Sequence, residues 1–596
     1  MPMAARHPAF RLLALCAGFS FSLFCCNQAT GDARNRNPPI FQKPCVDDLV
    51  LADLTSHYPI PVDLSPDGTL ILTRTVNWSD NAFGISLVER VSGRALYTLS
   101  WPSPILRLEW RHDSSEISFF SVRGSESGRD LYIWNFRQNL VRYIDTPLTT
   151  SEAQVRWAPN GKLLAFSDPQ QGLVAVGASG DEPAFTLARD VVLFDWLPDS
   201  STIALVDKNR LDRLALIGVA TGQSNSQVGI PRARILDLAA SPTGSSVLLV
   251  ELTDSGLWKI EKVDTRTFKR STLVRSRSRL GSPTWLPNGQ IFCFQRFDKT
   301  RAKVIVNDQT SGRSMALEDL AGMNDIRGVS PDSRTVVVAH RGYGPVALFG
   351  LSLTGERPQI LYASNSRGLP SVKAVSASAL AEDGTRVPLL VWRAPWRERE
   401  PTAVIRVHGG VGVASDQLPV WEEHIQLFVK HGIHFIGVNY RGGKANARQR
   451  REDVLAAIQY AHRILGVPYK RIVLLGHSSG ADLAADTCRV RPDWCGILVL
   501  VSFGKVEDEL QSLKLIKTYP RVILFYPAYD LTPRFVVLRN LRAAFGEDIV
   551  EAPGTSLYQF PDDHNLMYPR SWAAVYSAIL AHFHSSTCAA DPDESN

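Results

Sequence analysis

A serine placed between two glycines is the feature of this sequence best suited to chemistry. Residues 474–482 read LLGHSSGAD, and the pattern Gly-x-Ser-x-Gly fits only the frame centred on Ser478. A frame centred on Ser479 would require glycine where His477 and Ala481 stand. A serine hydroxyl becomes a useful nucleophile only when a neighbouring base accepts its proton. The rest of a catalytic group must therefore come from elsewhere in the chain.

Two side chains nearer the C-terminus complete a candidate catalytic triad. Asp530 follows the apolar run RVILFYPAY, and His564 stands in LYQFPDDHNLMYP, ahead of a final helical stretch. The order serine, acid, histidine is the order of the triad in α/β-hydrolases. We predict Ser478 as nucleophile, His564 as general base and Asp530 as the acid that orients the imidazole. Asp562 and Asp563 are the alternative acids.

A glycine pair supplies candidate donors for an oxyanion hole. The segment VIRVHGGVGV (404–413) follows an apolar run, and its glycines allow the backbone to approach a substrate carbonyl. The backbone N–H groups of Gly409 and Gly410 are candidate donors, together with the N–H of Ser479. His408 either contributes its side chain to the substrate site or has an orienting or packing role.

The segments around these residues alternate between strand and helix patterns. This alternation predicts a mostly parallel sheet with helices on both faces, which places Ser478 in a strand-to-helix turn of the nucleophile-elbow type. A hairpin with Asp383-Gly384 at its turn precedes them. The predicted strands are 403–407, 433–438, 472–475, 497–501 and 522–526, and the predicted helices are 421–430, 448–465, 479–489 and 571–584.

A short turn-and-strand unit recurs seven times in the N-terminal half. The second residue of each unit falls at 66, 112, 159, 198, 242, 287 and 331, a spacing of 39 to 47 residues. Each unit is a turn such as Pro-Asp-Gly followed by a β-like run, and a tryptophan precedes four of the turns. Such repeats predict a seven-bladed β-propeller over residues 45–370, with a pair of β-sandwiches as the alternative. An α/β-hydrolase domain over 371–588 completes the predicted multidomain architecture.

The N-terminus resembles a secretory signal peptide over residues 1–29. Basic residues precede LLALCAGFSFSLFCC, and the sequence then turns polar. About 20 apolar residues would be needed to cross a bilayer, so this shorter run predicts export to the periplasm or outside the cell. A lipid anchor at Cys26 is the alternative. An oxidising compartment permits a disulfide, for which Cys488 and Cys495 are the best pair.

Composition argues against several other classes of protein. The 596 residues carry a formal net charge of +6, with Lys and Arg spread along the chain, so we predict no nucleic-acid partner. Neither a Cys-x-x-Cys pair nor a His/Cys cluster at metal-ligand spacing is present, so we predict no metal and no cofactor.

Taken together, these motifs resemble the prolyl oligopeptidase family of serine peptidases. The resemblance lies in a propeller followed by HGG, NYRGG, GHSSG and a late Asp and His. It implies a Ser–Asp–His mechanism and a propeller that admits only peptides or other small acyl substrates. The chain departs from the family at His408, where prolyl oligopeptidases have a tyrosine donor. It also departs at Ser479 and Ala481 in the elbow, and in the short distance from Ser478 to Asp530.

The sequence therefore predicts an exported serine peptidase that cleaves short peptides. An esterase or acyl hydrolase is the alternative with the same mechanism, and a non-catalytic periplasmic binding protein is the alternative of another class. Oligomeric state and side-chain preference are not predicted.

Overall fold

A computed structural model describes residues 60–583 with internal gaps. The gaps are 78–81, 123–128, 149–153, 169–171, 180–183, 221–223, 230–231, 299–300, 318–319, 321, 343, 365–368, 396–399, 411–419, 421, 443–444, 503–520, 528–554 and 561–568. The predicted signal peptide, Cys26, Asp530, His564, Asp562 and Asp563 lie outside the described residues.

Seven four-stranded antiparallel sheets follow one another in the first part of the chain, which confirms the seven-bladed propeller. We number them as blades 1 to 7. Blades 1 to 4 consist of β1–β4 (Ile60–Leu64, Leu70–Asn77, Ala82–Glu89, Ala95–Trp101), β5–β8 (Ile105–Trp110, Ile117–Val122, Arg129–Asn135, Leu140–Leu148), β9–β12 (Val155–Trp157, Leu163–Asp168, Gly172–Gly177, Phe185–Ala188) and β13–β16 (Val191–Trp196, Thr202–Asp207, Arg210–Gly218, Ser224–Gly229). Blades 5 to 7 consist of β17–β20 (Ala233–Ala240, Ser246–Thr253, Trp258–Asp264, Arg270–Ser276), β21–β24 (Thr284–Trp285, Ile291–Phe297, Ala302–Asp308, Arg313–Ala316) and β25–β28 (Met323–Val329, Thr335–Arg341, Ala347–Ser352, Gln359–Ala363).

The recurring turn of the sequence joins the first and second strands of every blade. In four blades the first strand ends in a buried tryptophan, namely Trp110, Trp157, Trp196 and Trp285. Each tryptophan packs in an apolar cluster that includes residues of the preceding blade, as Trp285 does with Leu248 and Val250 of blade 5. The repeat therefore encodes both the turn within a blade and the contact between blades.

Side-chain packing closes the propeller ring. Every blade consists of four consecutive strands, so blades 1 and 7 share no strand. Leu64 and Ile71 of blade 1 instead form one buried cluster with Val337 and Leu348 of blade 7. The ring thus depends on burial of apolar surface at this junction.

An eight-stranded sheet forms the second domain. Its order is β29-β30-β32-β31-β33-β34-β35-β36, and all pairs from β32 onward in that order are parallel. The strands are β29 (Val375–Leu380), β30 (Arg386–Trp392), β31 (Thr402–Val407), β32 (Ile433–Val438), β33 (Ile472–His477), β34 (Ile497–Val501), β35 (Val522–Pro527) and β36 (Thr555–Phe560). The α-helices are α1 (Glu423–Lys430), α2 (Ala447–Leu465), α3 (Ser479–Val490) and α4 (Pro569–Phe583), and short 3-10 helices span Tyr469–Arg471 and Pro492–Trp494.

The helices cover both faces of this sheet, as the alternating pattern predicts. Helices α2 and α3 pack on one face in a buried apolar cluster, and α1 and α4 pack on the other face in a second cluster. The parallel strands are apolar almost throughout because both of their faces are buried. Their carboxyl ends form a single edge, where the strand-to-helix turn with Ser478 lies.

A disulfide joins Cys488 at the end of α3 to Cys495, which confirms the predicted pair. It ties the end of this helix to the start of β34. None of the described helices is both long and apolar enough to cross a membrane.

Candidate active site

Ser478 occupies a tight turn between β33 and α3. Its backbone has φ 55° and ψ −131°, a left-handed conformation that a residue other than glycine rarely adopts. The turn is held by the Ser478 N–H, which donates to the carbonyl of Val501 at 3.0 Å, and by the Ala481 N–H, which donates to the carbonyl of Ser478 at 2.8 Å. This is the strained strand–turn–helix geometry of a nucleophile elbow, which lifts the serine above the sheet edge.

The two glycines of the motif are required by close backbone contacts. A Cβ atom on Gly476 would lie 2.5 Å from the Cα of Ala481. A Cβ atom on Gly480 would overlap the carbonyl oxygens of Val407 and His408, on the neighbouring strand β31 and just beyond it. The spacing Gly-x-Ser-x-Gly is therefore a packing requirement of this turn.

The predicted oxyanion donors lie next to this turn. A Cβ atom on Gly409 would be 3.0 Å from the Cβ of Ser478, so the backbone of Gly409 passes directly beside the serine. Gly410 follows with φ 95°. Ser479 is the first residue of the 12-residue helix α3, so its N–H group belongs to the positive end of the helix. The structure brings Gly409, Ser478 and Ser479 together, and their roles as donors and nucleophile stay predictions.

His408 is held by stacking beside this site. Its ring lies 4.3 Å from the ring of Tyr440 at an interplanar angle of 12°, and its Nδ1 is 3.0 Å from the carbonyl oxygen of Gly409. The Tyr440 hydroxyl donates to the carbonyl oxygen of His408 at 2.8 Å. These contacts fix the backbone that leads into Gly409, and both roles considered for His408 stay predictions.

A polar cluster next to the site was not predicted from the sequence. Arg406 on β31 donates through Nη1 to Glu422 at 3.1 Å, and this nitrogen lies 3.2 Å from Nε2 of His424. Arg406 and Glu422 retain 28% and 31% of their side-chain surface exposed. Burial lowers the pKa of His424 to about 4, so its imidazole is neutral at pH 7.

Aromatic contacts connect this polar cluster to the nucleophile turn. His424 stacks on Tyr576 of α4 at 5.6 Å, and Tyr576 stacks on Trp572 at 5.8 Å. Trp572 in turn lies 6.0 Å from the ring of His477, the residue before Ser478. One side of the site is thus a continuous wall from His477 to Arg406. In the sequence, the only sign of this wall was Arg406, the single charged residue in the apolar run TAVIRV.

Asp530 and His564 are not placed by the structure because both fall in its gaps. The strands that precede them, β35 and β36, end on the same sheet edge as β33. Among the described residues, no group of three or more His, Cys, Asp or Glu side chains is arranged to hold a metal ion.

Comparison with known proteins finds the same architecture in solved structures. No protein-family model and no curated protein sequence matches the chain. A structure from a study of two prolyl endopeptidases has a TM-score of 0.71 at 13% identity, covering 90% of this chain and 91% of that one. A puromycin-hydrolyzing peptidase of Mycobacterium tuberculosis has a TM-score of 0.69 at 14% identity, with coverage of 92% and 97%. An acylaminoacyl peptidase of Pyrococcus horikoshii has a TM-score of 0.65 at 13% identity, with coverage of 91% and 98%.

These likenesses extend over both domains and define the class of fold. The chain combines a seven-bladed β-propeller with an α/β-hydrolase domain. This is the fold of the prolyl oligopeptidase family, as the sequence motifs predict. At identities of 13% to 14% these likenesses establish the fold alone.

Proposed function

We propose that the protein is a serine peptidase that cleaves short peptides, with Ser478 as its nucleophile. The observation that carries this proposal is the backbone of Ser478, at φ 55° and ψ −131° between a parallel strand and a helix. Strain at a single serine persists only where the surrounding structure enforces it, and it is concentrated at functional sites. A turn with a purely structural role would be filled more favourably by glycine.

In the proposed mechanism, Oγ of Ser478 attacks the scissile carbonyl while His564 accepts its proton. The carbonyl oxygen becomes an oxyanion, which accepts hydrogen bonds from the N–H groups of Ser479 and of Gly409 or Gly410. His564 then protonates the leaving amine, and the acyl group remains on Ser478 until water releases it. Asp530 orients the imidazole and stabilises its charged form. The mechanism requires neither a metal nor a cofactor.

The propeller and the leader sequence suggest where and on what the enzyme acts. A propeller stacked on the hydrolase domain restricts access to peptides or other small acyl compounds. The solved structures with this fold include a prolyl endopeptidase and a puromycin-hydrolyzing peptidase, which favours peptide substrates for this chain. The leader of residues 1–29 supports export to the periplasm or beyond, and the Cys488–Cys495 disulfide is compatible with that compartment.

A substrate comparison tests the proposal. Purified protein is assayed with blocked fluorogenic tripeptide amides and with matched p-nitrophenyl esters, alongside Ser478→Ala and His564→Ala variants. The proposal expects hydrolysis of the amides that falls by at least about 10³-fold in either variant. Hydrolysis of esters alone would identify an esterase. Amide hydrolysis that survives in Ser478→Ala would overturn the assignment of the nucleophile.

A further inference from the structure

One rim of the propeller faces the hydrolase domain. This rim is the end of each blade at which the first strand begins. Ile60, the first residue of β1, packs against the apolar cluster formed by α1 and α4. Arg341, the last residue of β26, lies close enough to Glu422 for their charges to interact. The chain also leaves β28 at this rim before it enters β29.

Arginines are concentrated on this rim in blades 5 and 6. Arg232 and Arg234 stand at the start of β17, the first strand of blade 5. The first strands of successive blades contact one another, so these strands line the central channel. Arg275 lies near the end of β20, the outermost strand of blade 5. We call the following set the arginine track: Arg232, Arg234, Arg275, Arg277, Arg279 and Arg296.

The arginine track runs from the outer edge of the propeller towards the mouth of the channel. Arg277 and Arg279 lie on the segment that crosses from β20 to blade 6. This segment contacts blade 6 through a bridge between Leu280 and Arg296 and through the guanidinium of Arg279, which lies 4.8 Å from the ring centroid of Phe297. All six side chains of the track are exposed.

The charge of the track is largely uncompensated. Within the described part of the chain, no carboxylate forms an ion pair with Arg232, Arg234, Arg275, Arg277 or Arg296. Nearby carboxylates are already engaged. Asp298 pairs with Arg301 at 3.1 Å, and Glu251 pairs with Arg270 at 2.9 Å. Asp254 is an exposed carboxylate on the same rim of blade 5, and its N–H donates to the carbonyl of Arg232 at 3.1 Å. Several like charges held together without partners favour an anionic ligand.

We propose that the arginine track guides peptides with acidic side chains or a free C-terminal carboxylate into the space between the two domains. This inference rests on the proposed peptidase function. Guanidinium groups form strong paired hydrogen bonds with carboxylates, and an exposed field of one sign raises the rate of encounter with opposite charges. The track thus selects among peptides by charge before they reach Ser478.

The charges deeper in the channel argue for a peptide rather than a uniform polyanion. The first strands of blades 1, 2, 4 and 5 carry Asp63, Glu109, Asp195 and Asp237, which face Arg156 of blade 3. Because the deeper channel mixes carboxyl groups with Arg156, the positive surface of the track does not continue inward, as a long nucleic acid or polyphosphate chain would require. A peptide with separated charges has no such requirement.

Charge reversal on the track is the direct test. Arg275→Glu/Arg277→Glu is compared with Arg266→Glu/Lys269→Glu, which changes the same charge in the same blade but at the opposite end, in the β19–β20 hairpin. The substrates are two internally quenched peptides that differ only by Glu or Gln at two positions. The track variant should lower the ratio of kcat/KM for the Glu peptide to that for the Gln peptide by roughly tenfold. The hairpin variant should leave the ratio unchanged.

Binding provides a readout that does not require turnover. A Ser478→Ala protein with the native track should bind the dansyl-labelled Glu peptide more tightly than the Gln peptide, and this preference should disappear in about 1 M salt, where the Debye length is about 3 Å. Equal effects of the two charge reversals, or tighter binding of an oligonucleotide than of the Glu peptide, would overturn the proposal. If neither peptide is cleaved but the binding preference depends on the track, the peptidase function fails and the recognition surface stands.

Discussion

Gly409 and Ser478 approach so closely that a Cβ atom on Gly409 would lie 3.0 Å from the Cβ of Ser478 and 2.9 Å from the carbonyl oxygen of His477. Two parts of the chain about 70 residues apart in sequence therefore form one surface beside the nucleophile. The backbone of the glycine pair can reach a carbonyl bound to Ser478 only because no side chain intervenes.

Gly409→Ala tests whether this approach serves catalysis. The new methyl group must push the backbone away from Ser478, which displaces a donor of the oxyanion hole. We expect kcat/KM to fall by about 10²-fold, as for loss of one oxyanion donor, in protein that remains folded at the assay temperature. Gly229→Ala is the matched control, since a Cβ there meets nothing within 4 Å. Similar activity in both variants would show that Gly409 does not border the reacting carbonyl.

His424 should make stability depend on pH below neutrality. Burial lowers its pKa from 6.5 to about 4, so the unfolded chain binds a proton between these pH values and the folded protein does not. The contribution of His424 to the free energy of unfolding is therefore complete above pH 6.5 and is lost as pH falls through 4, by about 3 kcal/mol in total. In urea unfolding, the His424→Gln variant should be less stable than the native protein at pH 7. This difference should disappear by pH 4.5. A stability difference between the two proteins that stays constant from pH 7 to pH 4.5 would contradict a folded His424 that is neutral because it is buried.

Asp63 should have the opposite effect in the propeller channel. Burial raises its pKa from 3.8 to about 7, so the unfolded chain is ionised between these values while the folded protein retains the proton. Stability then falls as pH rises from about 4 to 7. Asp63→Asn should raise the melting temperature at pH 8 and give no gain at pH 4. Asp308→Asn is the contrasting control. Hydrogen bonds from Ser311 and Thr310 lower the pKa of Asp308, so its ionised form stabilises the folded protein. Removing this carboxylate should therefore lower the melting temperature at pH 8.

The Cys488–Cys495 disulfide should stabilise the domain without serving catalysis. It closes a loop with a sequence separation of 7, for which loss of chain entropy predicts about 2–3 kcal/mol. We expect the double variant Cys488→Ser/Cys495→Ser to unfold at lower urea concentration and still react at Ser478. Cys293→Ser controls for general effects of thiol removal, since Cys293 is a buried free cysteine. Unchanged unfolding after loss of the disulfide would contradict this account.

Local patterns were sufficient to predict the framework of the molecule. The turn near Pro66 and its six counterparts each fix a reversal between two strands, so their spacing gives the number of blades. The elbow was predictable because the strand, the glycines and the helix are contiguous in sequence. Strand 472–475 was predicted too short, since β33 continues to His477 directly before the serine.

Contacts between distant segments were not predictable in the same way. Arg406, Glu422 and His424 meet because α1 packs across the end of β31, which no local pattern specifies. The arginine track similarly joins residues from three strands and a crossing segment of two blades. In both cases the sequence shows only isolated charges, and the fold decides which of them become neighbours.

Covalent labelling of Ser478 tests the central claim most directly. The full-length protein is treated with a fluorophosphonate probe, and the modified residue is located by peptide mass spectrometry, with Ser478→Ala and Ser479→Ala as matched variants. The account predicts one adduct, on Ser478, which persists in Ser479→Ala and is absent from Ser478→Ala. A folded protein that forms no adduct, or that forms one on Ser479, would contradict the claim that this turn presents an activated nucleophile.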